Sequence, residues 1–409
     1  MNTVRVAGPA PGPSLRRRMA DLSGRHRSTT VLIGMSIATL AMYVLPNYPP
    51  LNAFQGHVGW IDAFANAGVY MLMAMGLNVV IGFAGLLDLG YAAFFAIGAY
   101  TYAYGASPFS GNHFPFLPMI IVGAAMAAIF GIILGAPTLR LRGDYLAIMT
   151  LGFGEIVPRV FLNAPEYTNG PNGIGGIYRP VISIPIIGTI EFGAITPVLY
   201  FLVMMIMVTV AMILLYRLHD SRIGRAWAAV REDELAAAAS GINTVTTKLL
   251  AFALGATTAG VAGVFTASKL TVVSPDQFYF NVSFTVLAMV ILGGMGNIWG
   301  VALGAFVIFN IQAVFLKQLN GFFARLEVPI LQDINFTSYQ FLLYGLALVV
   351  MMLFRPEGLF PSQRRRRELH AAEELGPDAE PEIVGAMGAT PGADEILGGP
   401  DESDSVGLR

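Results

Sequence analysis

Ten long apolar runs, repeated along nearly the whole chain, constrain this sequence more than any other feature. They lie near residues 29 to 46, 62 to 82, 89 to 106, 116 to 138, 144 to 162, 196 to 217, 248 to 269, 281 to 295, 298 to 317 and 339 to 355. A helix needs about 20 mostly apolar residues to cross a bilayer. Only 12% of the 409 residues are charged, against about 25% in a soluble domain. The expected fold is therefore all-α: a polytopic transmembrane helix bundle of about ten spans, with room for re-entrant or broken helices. A soluble enzyme is excluded. The chain has no cysteine, which removes disulfides, zinc ribbons and thiolate nucleophiles.

The ends differ from the middle. Residues 1 to 28 carry Pro9, Pro11, Pro13 and Arg16, Arg17, Arg18, Arg25 and Arg27 without apolar periodicity, and are expected to be a disordered, basic cytoplasmic segment. The membrane-spanning body is expected over 29 to 361, with the inner loop at 218 to 247. Residues 362 to 409 open with Arg364 to Arg367 and continue as an acidic, disordered tail with eleven acids after the arginines. Basic residues are retained on the cytoplasmic side. Placing both arginine-rich ends there requires an even number of spans. Arg140, Arg142, Arg217, Arg222, Arg225, Arg231 and Lys248 then fall inside, and the loop from Asn163 to Ile195, whose one base is Arg179, falls outside. The expected location is the cell membrane, multi-pass, with both termini cytoplasmic.

Two spans are weak candidates for half-helices. The one at 144 to 162 contains Asp144, Glu155, Pro158 and Arg159, and the one at 281 to 295 is short and ends in Gly293, Gly294 and Gly296. Broken elements survive at membrane depth only where protein or water satisfies the freed backbone groups. Glycines such as Gly76, Gly98, Gly255 and Gly260 punctuate other spans, and small residues let helices approach closely.

Residues 218 to 247 form the longest inner loop. Ile223, Trp227, Val230, Ala237 and Ala238 recur mostly at three- and four-residue intervals. This spacing predicts an amphipathic helix that ends at Gly241. Such a helix lies on the bilayer surface or docks its apolar side in a partner's groove, and periodicity does not choose between the two.

The stretch GRAWAAVREDELAAAASGIN, continued by KLLAFALGATTAGVAGVF, resembles the cytoplasmic EAA-type loop of ABC importer permeases, specifically branched-chain amino acid permeases of the LivM type. GLNVVIGFAGLLDLGYAAFFAIGAYTYA at 76 to 103, LRLRGDYLAIMTLGFGEI at 139 to 156, NGPNGIGGI at 169 to 177, ILGGMGNIWG at 291 to 300 and FRPEGLFP at 354 to 361 are similar to that family in the same order. The resemblance covers residues 62 to 361. Where the general importer pattern has an uninterrupted Glu-Ala-Ala, the loop here has Glu234-Leu235-Ala236-Ala237.

The resemblance implies a transport subunit that catalyses nothing itself. Arg225, Trp227, Glu234, Ala237 and Gly241 would couple it to a cytoplasmic ATPase. The implied partners are a second related permease (LivH type), two ABC ATPase subunits (LivG and LivF type), an extracytoplasmic solute-binding protein, membrane lipid and a small amino acid, with no nucleic acid. No cofactor is expected on this chain; ATP and Mg would be bound by the partner ATPases. The implied substrates are leucine, isoleucine and valine. Urea or another small amide or amino acid is the alternative, and a gradient-driven secondary transporter or a passive channel stands further off.

Ionisable groups inside spans are costly and tend to face a cavity or a partner. Asp88, Glu155 and Arg159 are accordingly candidates for the transport path, with Asn78, Tyr91 and Thr150 as uncharged polar companions. Glu155 and Arg159 stand four residues apart, a spacing that suits an ion pair on one helix face. Asp88, in GLLDLG, suits a helix cap or an approach to a substrate ammonium. PNGIGG at 171 to 176 reads as an outer turn or a contact for a delivery protein. No Walker-type phosphate loop, HExxH pair or GxSxG elbow occurs. The five histidines are scattered, so no metal site is expected.

Overall fold

The computed structural model describes residues 27–49, 56–138, 141, 144–184, 188–193, 197–319, 336–355 and 358–360. The expected disordered ends, apart from residues 27 and 28, which are helical, and the arginines at 140, 142 and 364 to 367 lie outside them. Each of the ten apolar runs contains a helix. These are α1 (Arg27–Val44), α2 (His57–Asn78), α3 (Ala92–Gly105), α4 (Phe116–Thr138), α5 (Asp144–Leu162), α6 (Pro197–His219), α9 (Thr244–Leu270), α10 (Phe280–Gly293), α11 (Ile298–Asn310) and α12 (Gln340–Phe354). Between α6 and α9 lie two short helices, α7 (Arg222–Glu232) and α8 (Glu234–Ala239).

Eight helical segments among the described residues are long and apolar enough to cross a membrane by themselves. The helix α3, at 14 residues, is about 20 Å long, short of the roughly 30 Å hydrocarbon thickness. The helix α12, at 15 residues, is nearly as short.

The bundle is organised around α2, whose apolar window is 89% buried, whereas the windows of α1 and α4 are 11% and 22% buried. A central helix must be apolar round most of its surface, and α2 is, with Ile61, Ala65, Met73, Met75 and Leu77 fully buried, while its Asp62 and Asn66 meet Lys269 of α9. Against it pack α6, α9 and α11, while α9 also packs on α3 and α4. Glycine decides that second contact. A Cβ placed on Gly98 would land 2.2 Å from the carbonyl oxygen of Gly260, so α3 and α9 touch backbone to backbone.

Two faces are distinguishable. The loop face carries α7 and α8, the turn between α10 and α11, and residues 358–360, whose Leu359 and Phe360 amides donate to the Leu292 and Gly293 carbonyls. The sheet face carries two small antiparallel ribbons. One pairs β1 (Ile174–Gly175) with β4 (Val272–Val273), Ile174 opposite Val273; the other pairs β2 (Val181–Ile184) with β3 (Gly188–Glu191), Val181 opposite Glu191.

The chain break is not at either of the weak spans. The helix α5 runs unbroken for 19 residues. Pro158 sits in its last turn and a half, where a proline removes one ladder bond, and Asp144 and Arg159 point outward, away from the core. The helix α10 is short, as its glycines suggest. The marked interruption follows α2, where residues Val79–Phe83 widen to a π-helical turn and 84 to 91 run without regular structure until α3 begins.

Candidate functional site

Two places concentrate the polar chemistry of the chain. The first is the interruption between α2 and α3. Irregular backbone at membrane depth leaves N–H groups without ladder partners, and each must be satisfied inside the protein. Here the Leu89 amide donates to Thr150 Oγ1 (3.0 Å), the Gly90 amide to Asp88 Oδ1 (2.9 Å) and the Ala92 amide to Ser283 Oγ (2.9 Å). Leu86 N–H reaches the Val80 carbonyl at 3.0 Å. Tyr91 OH donates to the Gly255 carbonyl at 2.7 Å and lies 3.0 Å from Thr258 Oγ1. Asn78 Oδ1 accepts from Gly296 N–H at 2.8 Å, tying the end of α2 to the turn between α10 and α11.

Asp88, Tyr91 and Thr150 are thus brought together by the interruption, while Asn78 stands apart against the turn between α10 and α11; all four are buried. Glycine permits the fit: a Cβ on Gly90 would stand 2.2 Å from the Thr150 carbonyl oxygen. Two groups are left over. Asn78 Nδ2 and Asp88 Oδ2 are buried without a hydrogen-bond partner, and Asp88 lies beside a cavity of about 10 Å³ lined by Gly90, Phe94, Thr150 and Phe252. That volume is about one water molecule's worth.

The second place is the loop of α7 and α8. The sequence predicts one helix ending at Gly241, and the structure has two. Asp233 causes the division: its backbone is extended, and its Oδ1 accepts from Leu235 and Ala236 N–H (2.8 and 3.0 Å), so it caps α8 where α7 stops. The predicted end is present. Gly241 adopts φ +85°, with Ile242 N–H bonded to the Ala237 carbonyl and Gly241 N–H to that of Ala238, a Schellman stop.

The pair is fastened to the bundle at four points. Trp227 is fully buried, and its indole N–H donates to the Thr247 carbonyl at 2.7 Å. Glu234 Oε1 meets Lys248 Nζ at 2.5 Å, with the lysine side chain 7% exposed. Arg231 donates to the Gly82 carbonyl at 2.5 Å, which joins the loop to the chain interruption. Gly224 lies so close to the His219 carbonyl that a Cβ would meet it at 2.1 Å.

The candidate coupling residues therefore separate. Trp227, Glu234 and Ala237 turn inward, whereas Arg225, held to the Asp220 carbonyl at 3.0 Å, and Gly241 are exposed. Leu235 is 68% exposed and stands with Ala236, Ala238 and Ala239 on the open side of α8. Leu235, Ala236 and Ala239 were not among the sequence candidates, and Ala238, which periodicity put on one side with Trp227 and Ala237, is exposed because the division at Asp233 resets the helical phase. The signal was present: in a helix starting at Glu234, residues 235, 238 and 239 share a face, and Ala237 takes the opposite one.

Glu155 and Arg159 belong to neither place. They form the expected i,i+4 pair at 3.8 Å, with side chains 33% and 71% exposed, on the outward face of α5. The Asn172 stretch forms a 3₁₀ turn leading into β1 on the sheet face. Among the described residues, no group of acids and histidines is placed to hold a metal.

Comparison with known proteins adds to this geometry. Residues 60–353 match the family model described as branched-chain amino acid transport system / permease component. The chain is 38% identical to the high-affinity branched-chain amino acid transport system permease protein LivM of Salmonella typhimurium, over 78% of this chain and 74% of that protein. It is 37% identical to the protein of the same name from Escherichia coli, over 90% and 85%. The permease protein LivH of E. coli is 29% identical over 34% of this chain and 40% of its own length. No solved structure matches the chain.

Proposed function

The chain belongs to the branched-chain amino acid transport permease family, and on that premise we propose how this subunit of an ABC importer for those amino acids is coupled and placed. The loop face is cytoplasmic, the sheet face is extracytoplasmic, and the membrane is the cell membrane. The work of ATP hydrolysis is done on separate ATPase chains, with ATP and Mg bound there and not here. A solute-binding protein delivers leucine, isoleucine or valine to the sheet face, and a second permease completes the membrane part.

The observation that carries the coupling is the two-sidedness of α7 and α8. A docking helix must be fixed to the part it moves and must offer a free apolar side to the part that moves it. Trp227 and the Glu234–Lys248 pair supply the fixing, Leu235, Ala238 and Ala239 supply the free side, and Arg225, exposed on α7, supplies register. Asn78, Asp88, Tyr91 and Thr150 serve the path indirectly, by holding the interruption in shape. Alternating access then follows from ATPase closure displacing α8 and, through it, α9.

The test is uptake of radiolabelled leucine into vesicles holding the purified complex. Uptake that needs ATP, the ATPases and the binding protein together supports the reading. Uptake by this chain alone, driven by an ion gradient, replaces it with a secondary carrier.

A further inference from the structure

Two small-residue seams hold neighbouring helices apart. The helix α4 is drawn to α9 through Gly123 and Gly131: a Cβ on Gly131 would stand 3.0 Å from that of Ala256, and one on Gly123 would overlap the Val264 side chain. The helix α5 is drawn instead to the interruption, where a Cβ on Gly154 would stand 2.8 Å from the Gly90 Cα. Small residues bring backbones together, and two seams with different partners leave a gap between the helices they hold. A cavity of about 420 Å³ occupies that gap, walled by α3, α4, α5 and the helical turn Pro165–Thr168.

The lining is apolar and laid out lengthwise. Ile97, Tyr100 and Tyr104 recur along α3, while Met126 and Phe130 of α4 and Val157 and Phe161 of α5 are each one turn apart. From Ile97 to Tyr104 the cavity follows α3 for about 10 Å. Tyr104 and Tyr167, both exposed, stand at its end toward the sheet face, and tyrosines are enriched at the membrane–water boundary. Val160, in the lining and 54% exposed, marks where the cavity opens to the outside of the bundle. The neighbouring surface of α4 exposes Ile121, Ile129 and Ile133, which suit acyl chains.

Water does not fit this lining. The threonine hydroxyls in the wall are spent on backbone carbonyls of their own segments, Thr101 on Ile97 (2.6 Å) and Thr168 on Ala164 (2.8 Å), and a buried water needs about two to four polar partners. One group remains: the Tyr100 hydroxyl is buried with no hydrogen-bond partner among the described residues, about 6 Å along α3 from Tyr104. Close-packed interiors leave few voids larger than a water molecule. The occupant that fits is a flexible apolar chain with one acceptor near its polar end.

We propose that the cavity holds one acyl chain of a membrane phospholipid from the leaflet on the side of the sheet face, its ester carbonyl accepting from the Tyr100 hydroxyl and its headgroup lying at Tyr104 and Tyr167. The chain fills the cleft that the two seams leave between α4 and α5. The site rests on the packing of the bundle and goes beyond the importer reading, which is tested separately.

For the test, the protein is reconstituted, with the chains that co-purify with it, in vesicles containing a phosphatidylethanolamine that carries a diazirine on one acyl chain. After photolysis, peptide mass spectrometry locates the label. The expected result is label on Met126, Phe130, Val157 or Phe161 at least about tenfold above that on Ile206, Val210 and Leu214, the open face of α6. Val160→Trp, a substitution at the exposed mouth, should lower the cavity label to the α6 level. Tyr100→Phe keeps the ring and should reduce retention of the lipid through a detergent wash, read by native mass spectrometry, by about three- to tenfold, the worth of one neutral hydrogen bond.

Equal label on the cavity and on α6 overturns the proposal, the lipid there being ordinary boundary lipid. Label that is present on the isolated chain and vanishes in the complex also overturns it, because a protein partner then covers the cavity. Label that survives Val160→Trp places the acyl chain elsewhere, and unchanged retention in Tyr100→Phe overturns the ester contact.

Discussion

The interruption at 84 to 91 and the loop of α7 and α8 both depart from plain membrane helix, and they use their polar residues in opposite ways. In the interruption every named side chain turns inward: Thr150, Asp88 and Ser283 accept backbone amides that hydrocarbon cannot. In the loop the polar and apolar residues are shared between an attached side and a free one. The difference teaches that burial of a polar residue in a span marks backbone repair as readily as substrate contact, and that exposure is the better guide to a partner.

The comparison breaks first, and most completely, at Gly90. Gly90→Val puts side-chain atoms where the Thr150 carbonyl stands, and neither backbone can yield; loss of monodisperse protein on size-exclusion chromatography is expected. If the variant folds normally, the interruption is not the tightly determined element described here. Trp227→Ala should cost about 3–5 kcal/mol of local stability. Its signature is a loop newly open to protease, with ATP-driven uptake lost and the bundle still folded.

Thr150→Val removes the acceptor of the Leu89 amide and should cost about 1–3 kcal/mol, read as a lowered melting temperature in detergent. Gly241→Ala forces a side chain into the left-handed region, at about 1–2 kcal/mol, and Gly241→Asn should recover part of it. The sharpest contrast has the smallest thermodynamic effect. Leu235→Glu should change stability by no more than about 0.5 kcal/mol, yet abolish co-purification with the ATPases. Retained coupling in that variant would show that the open side of α8 is not the docking surface.

The spans were legible because twenty-residue apolar runs leave few alternatives in a bilayer, and each of the ten contains a helix. The interruption was not legible as such. GFAGLLDLGY is apolar enough to read as the start of a span, and nothing local announces that the amides of Leu89 and Ala92 will find partners 61 and 191 residues away. Asp88 was readable as a cap, and it does bond the Gly90 amide just ahead of α3, but its burial depends on tertiary packing. In the loop, periodicity found Trp227 and Ala237 on the inner side. It missed the division at Asp233, because a carboxylate that caps one helix scores equally well as the solvated face of another. The Glu155–Arg159 pair followed from spacing alone; which way it faced did not.

The Glu234–Lys248 tie has a mechanical consequence. Lys248 stands in the second turn of α9, a helix of 27 residues and so about 40 Å long. Its far end passes through Thr271 directly into β4, which is paired with β1 on the opposite face. A helix that long and that stiff acts as a lever. A tilt of about 5° about its middle moves each end by about 2 Å, comparable to the helix shifts that switch packed interfaces. A push on α8 that tilted α9 as a rigid body would therefore reach the small sheet in the opposite direction.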